Sequence, residues 1–269
     1  MEYKIVLSIA GSDSSAGAGI QADMKSVAAC GGYCATAITA LTAQNTCGVW
    51  SVNIVSDEVV KAQIDAVLED LDVAAVKLGM LPSSGIVMSV RDAIVCHGIK
   101  NVVLDPVMIA TSGDMLVSEC VAREIITKLL PLATVITPNV MECEFISGLT
   151  IHGEEDFARA ADFFRKLGTK AVLLKSGHLK GVKIRDYLYN FVDNEVHIFE
   201  YDKLDTQNTH GTGCSLSSAI ASYLVQGYPI SEAVRRAENY IHSAIAGADY
   251  VIGHGHGPIH HFYNLRVNE

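Results

Sequence analysis

Short apolar runs recur along this chain, separated by helical patterns of about 10–15 residues, and that alternation leaves few folds open. The candidate strands are Ile5–Ala10, Cys34–Leu41, Ser51–Val55, Ala74–Leu78, Val102–Leu104, Thr134–Thr137 and Ala171–Leu174. Helices are expected near Ile20–Cys30, Asp57–Leu71, Ser84–His97, Ser118–Leu130, Met141–Ser147 and Glu155–Leu167. This order reads as βαβ units building a mostly parallel sheet covered on both faces. After Gly177 the pattern changes. Ile184–Val192 and Glu195–Tyr201 straddle Asp193-Asn194 as an antiparallel hairpin. Two helices follow, Cys214–Gln226 ended by Gly227, and Ser231–Ala248 opened by a serine cap. With no repeat, linker or low-complexity tract in 269 residues, one α/β domain over 1–269 is expected.

Composition narrows the partners. Thirty acidic against twenty basic residues give a formal charge of −10, with no run of Lys or Arg. Nucleic acid and anionic membranes need clustered positive charge, so neither is expected as a partner. No stretch of eighteen apolar residues and no leader-like N-terminus is present, and the seven cysteines are scattered. A cytoplasmic protein with reduced thiols is the expectation.

Strand 1 runs into Gly11-Ser12-Asp13 and then Gly17-Ala18-Gly19-Ile20-Gln21-Ala22-Asp23. Gly17 to Ala22 fits G-x-G-x-x-A, but a dinucleotide site also wants an acidic residue about twenty positions on. Between Asp23 and Asp57 there is none. A Walker A loop is excluded, because no glycine is followed by lysine. The turn therefore reads as a substrate loop, with Asp23 either meeting ligand or standing as a helix-surface carboxylate.

Asn208-Thr209-His210-Gly211-Thr212-Gly213-Cys214 leads into a helix rich in small residues. Glycines there let backbone N–H groups converge at a helix N-terminus, forming a cradle for phosphoryl oxygens. A thiol in the first helical turn tends toward a lowered pKa, so Cys214 can be read as a proton acceptor. It can equally be read as a small buried residue. Asp105-Pro106, Thr137-Pro138-Asn139…Glu142 and Lys175-Ser176-Gly177-His178 follow successive strands. Asp105 and Glu142 suit Mg2+ held through its waters, and Lys175 suits a nucleotide phosphate.

These segments resemble the ribokinase-like superfamily, and within it the bacterial hydroxymethylpyrimidine and hydroxymethylpyrimidine-phosphate kinases of thiamine biosynthesis. The likeness also rests on Thr42-Ala43-Gln44-Asn45-Thr46, Lys77-Leu78-Gly79-Met80-Leu81, Asp105-Pro106-Val107-Met108 and Gly257-Pro258-Ile259-His260-His261-Phe262. It implies a three-layer α/β/α fold with a mostly parallel central sheet and a small antiparallel element. It further implies two successive ATP- and Mg2+-dependent phosphorylations, and a homodimer. Carried over by position, Cys214 is catalytic, with Gly211 and Gly213 in its anion hole. Gln44 reads the pyrimidine, with Asp23, Met80, Val107 and Gly11 around it. Lys175, Thr209 and His210 face the nucleotide, and Glu142 is the metal-side acid. Gln44 also makes chemical sense alone: a carboxamide meets the donor–acceptor edge of a 4-aminopyrimidine with two hydrogen bonds.

Two positions depart from the family pattern: Thr111, in an expected flap over Ala110–Asp114, and Ser176 after Lys175. The His254-Gly255-His256 spacing invites a metal reading, but no cysteine or convincing carboxylate accompanies it, so a packed tail is expected. A pyridoxal or pyridoxine kinase on the same fold is the alternative activity. A non-catalytic pyrimidine-binding regulator is the alternative of a different class.

Overall fold

The computed structural model describes residues 3–109, 115–153, 155–177 and 183–265. The segment expected as a flap, 110–114 with Thr111, lies outside them. One nine-stranded sheet runs through the described residues in the order β3-β2-β1-β4-β5-β6-β7-β8-β9. The strands are β1 Ile5–Ser12, β2 Tyr33–Asn45, β3 Gly48–Ile54, β4 Val73–Leu78, β5 Asn101–Leu104, β6 Val135–Ile136, β7 Ala171–Leu174, β8 Lys183–Asn190 and β9 Glu195–Asp202. From β2 to β7 in that order every neighbour is parallel. β3 pairs antiparallel to β2, and β8 and β9 run antiparallel beyond β7. The antiparallel part thus lies at both edges, not at the C-terminal one alone.

Alternate strand residues feed two cores, which is why the central strands read as unbroken apolar runs. Leu7, Ile9, Val76, Leu78, Val102 and Leu104 pack under α2 Asp57–Asp70, α3 Ser84–Cys96, α4 Glu119–Glu124, α5 Val140–Ser147 and α6 Glu155–Lys166. Val6, Ala75, Val103, Val135 and Leu173 pack under α1 Gly19–Ala29, α7 Thr212–Val225 and α8 Ile230–Ala246. The result is three layers, α/β/α. The cysteines are all free thiols. No helix among the described residues is long and apolar enough to cross a membrane.

Local details depart from expectation for identifiable reasons. β2 continues to Asn45, placing Gln44 on a strand, and turns through Thr46-Cys47 into β3. The helix expected over Ser118–Leu130 is α4, a π turn over Ile125–Leu129 and a 3-10 turn over Leu130–Leu132, where Pro131 stops α-helical bonding. Ser231 is not a cap. Pro229 holds that position in extended geometry, and Ser231 Oγ accepts instead from Asn190 Nδ2 at 3.2 Å. The β8–β9 turn spans 191–194, longer than the Asp193-Asn194 pair, with Asn194 at φ +57°.

Candidate active site

The chain lays β2 and β3 to one side of β1, then crosses to add β4 on the other side. Parallel strands diverge there at their carboxyl ends, the place where open α/β sheets take ligands. Gly11 lies at the end of β1 and Gly79-Met80 at the end of β4. A Cβ on Gly11 would sit 3.7 Å from Met80 Sδ. Thr39 Oγ1 donates to the Met80 carbonyl at 2.7 Å, holding that loop against β2.

The glycine-rich loop and the turn after β1 interlock. Gly211 caps α7 at φ +79°, and a Cβ there would fall 1.8 Å from the Gly17 carbonyl oxygen. A side chain is therefore excluded twice, by backbone conformation and by a neighbour that cannot rotate away. Thr212 Oγ1 donates to the Thr209 carbonyl at 2.7 Å, closing the turn before the helix. The His210 N–H donates to the Gly257 carbonyl at 3.0 Å, tying the loop to the C-terminal segment. That segment is packed as expected: the His254 and Gly255 N–H groups both reach Thr46 Oγ1 at 3.2 Å.

The strand-end residues converge on this cradle. A Cβ on Gly213 would lie 3.5 Å from Lys175 Nζ and 3.6 Å from Asp105 Oδ2. Lys175 and Asp105 are 3.6 Å apart. Glu142 closes a capping box on α5: its Oε2 accepts from the Asn139 N–H at 3.0 Å, while Asn139 Oδ1 accepts from the Glu142 N–H at 2.9 Å. Burial pushes its carboxyl up to about 7 against the pull of Lys175, with Asp105 adding to the rise. Burial works against the Lys175 ammonium, but Asp105, Glu142 and Asp186 outweigh it and raise its pKa. Ser176, the departure noted in the sequence, has a structural use. Its N–H donates to Asp186 Oδ1 at 2.7 Å, and its Oγ accepts from the Arg185 N–H at 2.9 Å.

Cys214 sits beside Gly213 in the first turn of α7. Its thiol is not lowered as a helix N-terminus would suggest. Burial pushes it up to about 11, Asp23 and Asp105 push the same way, and Lys77 only partly opposes them. In the free protein Cys214 is a neutral thiol at physiological pH. Iodoacetamide labelling of Cys214, followed by peptide mass spectrometry, should be about tenfold slower at pH 8 than that of exposed Cys47. It should climb steeply above pH 9; faster labelling than Cys47 at pH 8 would contradict this assignment.

A cavity of about 810 Å³ opens over the loop, and Gln44, Lys175, Thr209, His210, Gly211 and Gly213 line it. Gly11, Met80, Val107, Asp105, Glu142 and Cys214 are not among its lining residues. Gln44 Nε2 lies 3.4 Å from His210 Nε2, and Oε1 lies 3.2 Å from Thr42 Oγ1. His210, expected toward the nucleotide, therefore also touches the expected pyrimidine reader. Its Nε2 is 2.9 Å from Asp13 Oδ2. Burial would raise the Asp13 carboxyl, but His210, Ser15 and the backbone N–H groups of Ser15 and Ala18 together hold it well below the usual range.

Asp23 is a correction. It faces the interior of the fold at 0% side-chain exposure, with Lys77 Nζ 2.9 Å from both carboxylate oxygens. Ser8 Oγ and Ser218 Oγ donate to it at 2.6 and 2.7 Å. With every oxygen engaged, it is neither a helix-surface carboxylate nor open to a ligand. Sequence reasoning gave no role to Asp13 or Lys77. The signal for Lys77 was available: it is the one charge in the apolar run Val73–Leu78. Asp13 gave a weaker one, as an acid directly after a strand and a glycine.

A sequence profile for the phosphomethylpyrimidine kinase family matches residues 13–260. The hydroxymethylpyrimidine/phosphomethylpyrimidine kinase of Rhizobium meliloti (strain 1021) is 49% identical over 262 residues, 96% of this chain and 97% of that one. Phosphomethylpyrimidine kinase from Clostridium difficile 630 superposes with a TM-score of 0.80 at 43% identity, covering 90% of this chain and 99% of that one. Pyridoxal kinase from Staphylococcus aureus in complex with ADP gives a TM-score of 0.91 at 31% identity, covering 99% and 96%.

Proposed function

The chain belongs to the phosphomethylpyrimidine kinase family, with the ribokinase-like fold and the kinase activity of thiamine biosynthesis that go with it, and we propose how its residues divide that work. The reaction phosphorylates 4-amino-5-hydroxymethyl-2-methylpyrimidine to its monophosphate and then to the pyrophosphate, with ATP as phosphoryl donor. The observation that carries the site assignment is the meeting of Gly213 and Lys175, with Asp105 beside them, at a cavity that Gln44 also lines.

In this reading Gln44 holds the ring, with Gly11, Met80 and Val107 behind it. The hydroxymethyl group points to the N-terminus of α7. Gly211 and Gly213 present backbone N–H groups to the phosphoryl oxygens, and Lys175, Thr209 and His210 border the nucleotide. Cys214, a neutral thiol in the resting protein, cannot take up a proton in that form; it accepts the substrate proton only once ionised to the thiolate by cationic charge in the loaded site, and otherwise positions the hydroxyl. Mg2+ fits the donor set, since it is commonly held by one or two carboxylates, its own waters and the nucleotide phosphates. Asp105 and Glu142 would hold it, and it would neutralise charge on the transferring phosphoryl group. A bound cation would favour the ionised form of Glu142, which burial disfavours.

The proposal also includes one kinase domain over 1–269, a cytoplasmic setting and a homodimer. β3 is an edge strand without proline or a charged residue. All seven of its residues are exposed, Trp50 at 79%. A long apolar edge of that kind is the surface a second copy would cover.

Purified protein incubated with ATP, Mg2+ and the pyrimidine should yield both mono- and diphosphorylated products by chromatography; absence of both sinks the reading. Cys214→Ala should lower kcat on the order of 100-fold, with KM for the pyrimidine nearly unchanged. Unchanged turnover would remove Cys214 from the chemistry. The likeness to the Staphylococcus aureus pyridoxal kinase keeps a second acceptor in view, and comparing kcat/KM for pyridoxal and the pyrimidine decides between them.

A further inference from the structure

We infer that Asp13, acting through His210, and Thr42 fix which end of the Gln44 carboxamide faces which side of the pocket, so that the site selects a 4-amino over a 4-oxo pyrimidine. The inference rests on Gln44 being the ring reader.

The hydrogens around Gln44 can be assigned one at a time. Asp13 is buried at 3% exposure and accepts from the Ser15 N–H and Oγ, the Gly17 N–H and the Ala18 N–H at 2.7–3.0 Å. A carboxylate among that many donors is ionised, and an ionised carboxylate only accepts. His210 Nε2, 2.9 Å from Asp13 Oδ2, therefore carries a hydrogen. It does so in the neutral Nε2–H tautomer and in the imidazolium alike. Gly17 packs under the same ring: a Cβ there would lie 2.2 Å from His210 Cδ2, so only glycine lets the ring lie this close to the backbone.

Thr42 Oγ1 has one hydrogen. The Ser12 carbonyl lies 2.8 Å from it, nearer than Gln44 at 3.2 Å, and a carbonyl can only accept. Thr42 therefore turns lone pairs toward Gln44. One end of the carboxamide meets a nitrogen whose hydrogen is given to Asp13 and which has no lone pair left to accept, and the other end meets lone pairs. With Nε2 toward His210 and Oε1 toward Thr42, donor faces donor and acceptor faces acceptor. A half-turn about Cγ–Cδ exchanges the two without changing the shape of the side chain. The surroundings select that second state, with Oε1 toward His210 and Nε2 toward Thr42.

A 4-aminopyrimidine presents an amine donor beside a ring-nitrogen acceptor. The 4-oxo analogue has the same outline but presents an acceptor beside an N–H donor. A carboxamide free to turn over reads both. One that can donate only at the Thr42 end reads only the first, through an Oε1 lone pair and the second Nε2 hydrogen. Asp13 and His210 are then positioning residues, with the substrate amine on the His210 side and the ring nitrogen on the Thr42 side.

The experiment measures kcat/KM for 4-amino-5-hydroxymethyl-2-methylpyrimidine and for its 4-oxo analogue in the wild-type protein and in variants. The wild type should prefer the amino compound by roughly 10- to 100-fold, the range of a bidentate pair. Asp13→Asn puts in a group that can donate or accept, which frees the His210 tautomer; the preference should shrink about tenfold. Thr42→Val should shrink it similarly, and Thr42→Ser should restore it. A merely structural role would lower both substrates together and leave the ratio intact. An unchanged ratio in Thr42→Val overturns the inference, and that variant decides alone should Asp13→Asn fail to fold. Wild-type protein that phosphorylates neither compound counts instead against the kinase reading.

Discussion

Gly211→Ala should lower kcat by about 100-fold or more, the largest loss expected from any single methyl group in this protein. The residue sits at φ +79°, a region that costs an L side chain about 1–2 kcal/mol. The steric term is larger. The new Cβ would lie 1.8 Å from the Gly17 carbonyl oxygen, 2.8 Å from its carbon and 3.2 Å from Ala18 Cα. Those atoms cannot yield, because the Gly17 and Ala18 N–H groups are held by Asp13 at 3.0 and 2.8 Å. The loop must therefore move, and N–H groups aimed at a developing charge lose most of their value when displaced by about 1 Å. ADP release with saturating pyrimidine reads kcat directly. A variant within threefold of wild type would show that the Gly211 turn does not set the cradle.

Lys77→Met should destabilise the protein by about 3–5 kcal/mol in urea unfolding, the range for breaking one side of a buried ion pair. Neither Lys77 nor Asp23 is accessible to solvent. Removing the ammonium leaves a carboxylate supported only by the Ser8 and Ser218 hydroxyls. The pairing explains the raised Lys77 pKa: burial opposes the charge, and Asp23 with its neighbours more than offsets that. Because the unpaired charge dominates the penalty, Asp23→Leu combined with Lys77→Met should recover much of the loss. A single variant that costs under about 1 kcal/mol would mean the pair is not closed to water. Ser218 lies one turn beyond Cys214 on α7, so the same damage should reach the cradle.

Residues at strand ends were legible because parallel strands send all their carboxyl ends to one edge. Order along the chain was therefore enough to gather Asp105, Asn139 and Lys175. Asp23 was not legible, since spacing places it on α1 without saying that this face of the helix turns toward β4 and α7. The lowering expected for the Cys214 thiol failed on magnitude. The helix-terminus rule and the burial rule push its thiol in opposite directions, and sequence alone does not weigh them. The end of β2 was missed because Thr42, Gln44 and Asn45 look like loop residues. They are strand residues, and Gln44 and Asn45 line a cavity rather than a core. Ser231 failed because Pro229 already supplies the extended residue at which α8 begins.

The contacts between the first turn of the fold and the cradle have a consequence for biosynthesis. His210 meets Asp13 across 197 residues, and Ser218 meets Asp23 across 195. A chain still emerging from the ribosome can lay β1, β2 and β4 side by side, yet its glycine turn then has no opposing loop to close against. The Lys77–Asp23 pair likewise waits, partly covered, for Ser218. In the proposed division of work, catalytic competence arrives only with the last quarter of the polypeptide, and a truncated product is expected to be inert rather than partly active.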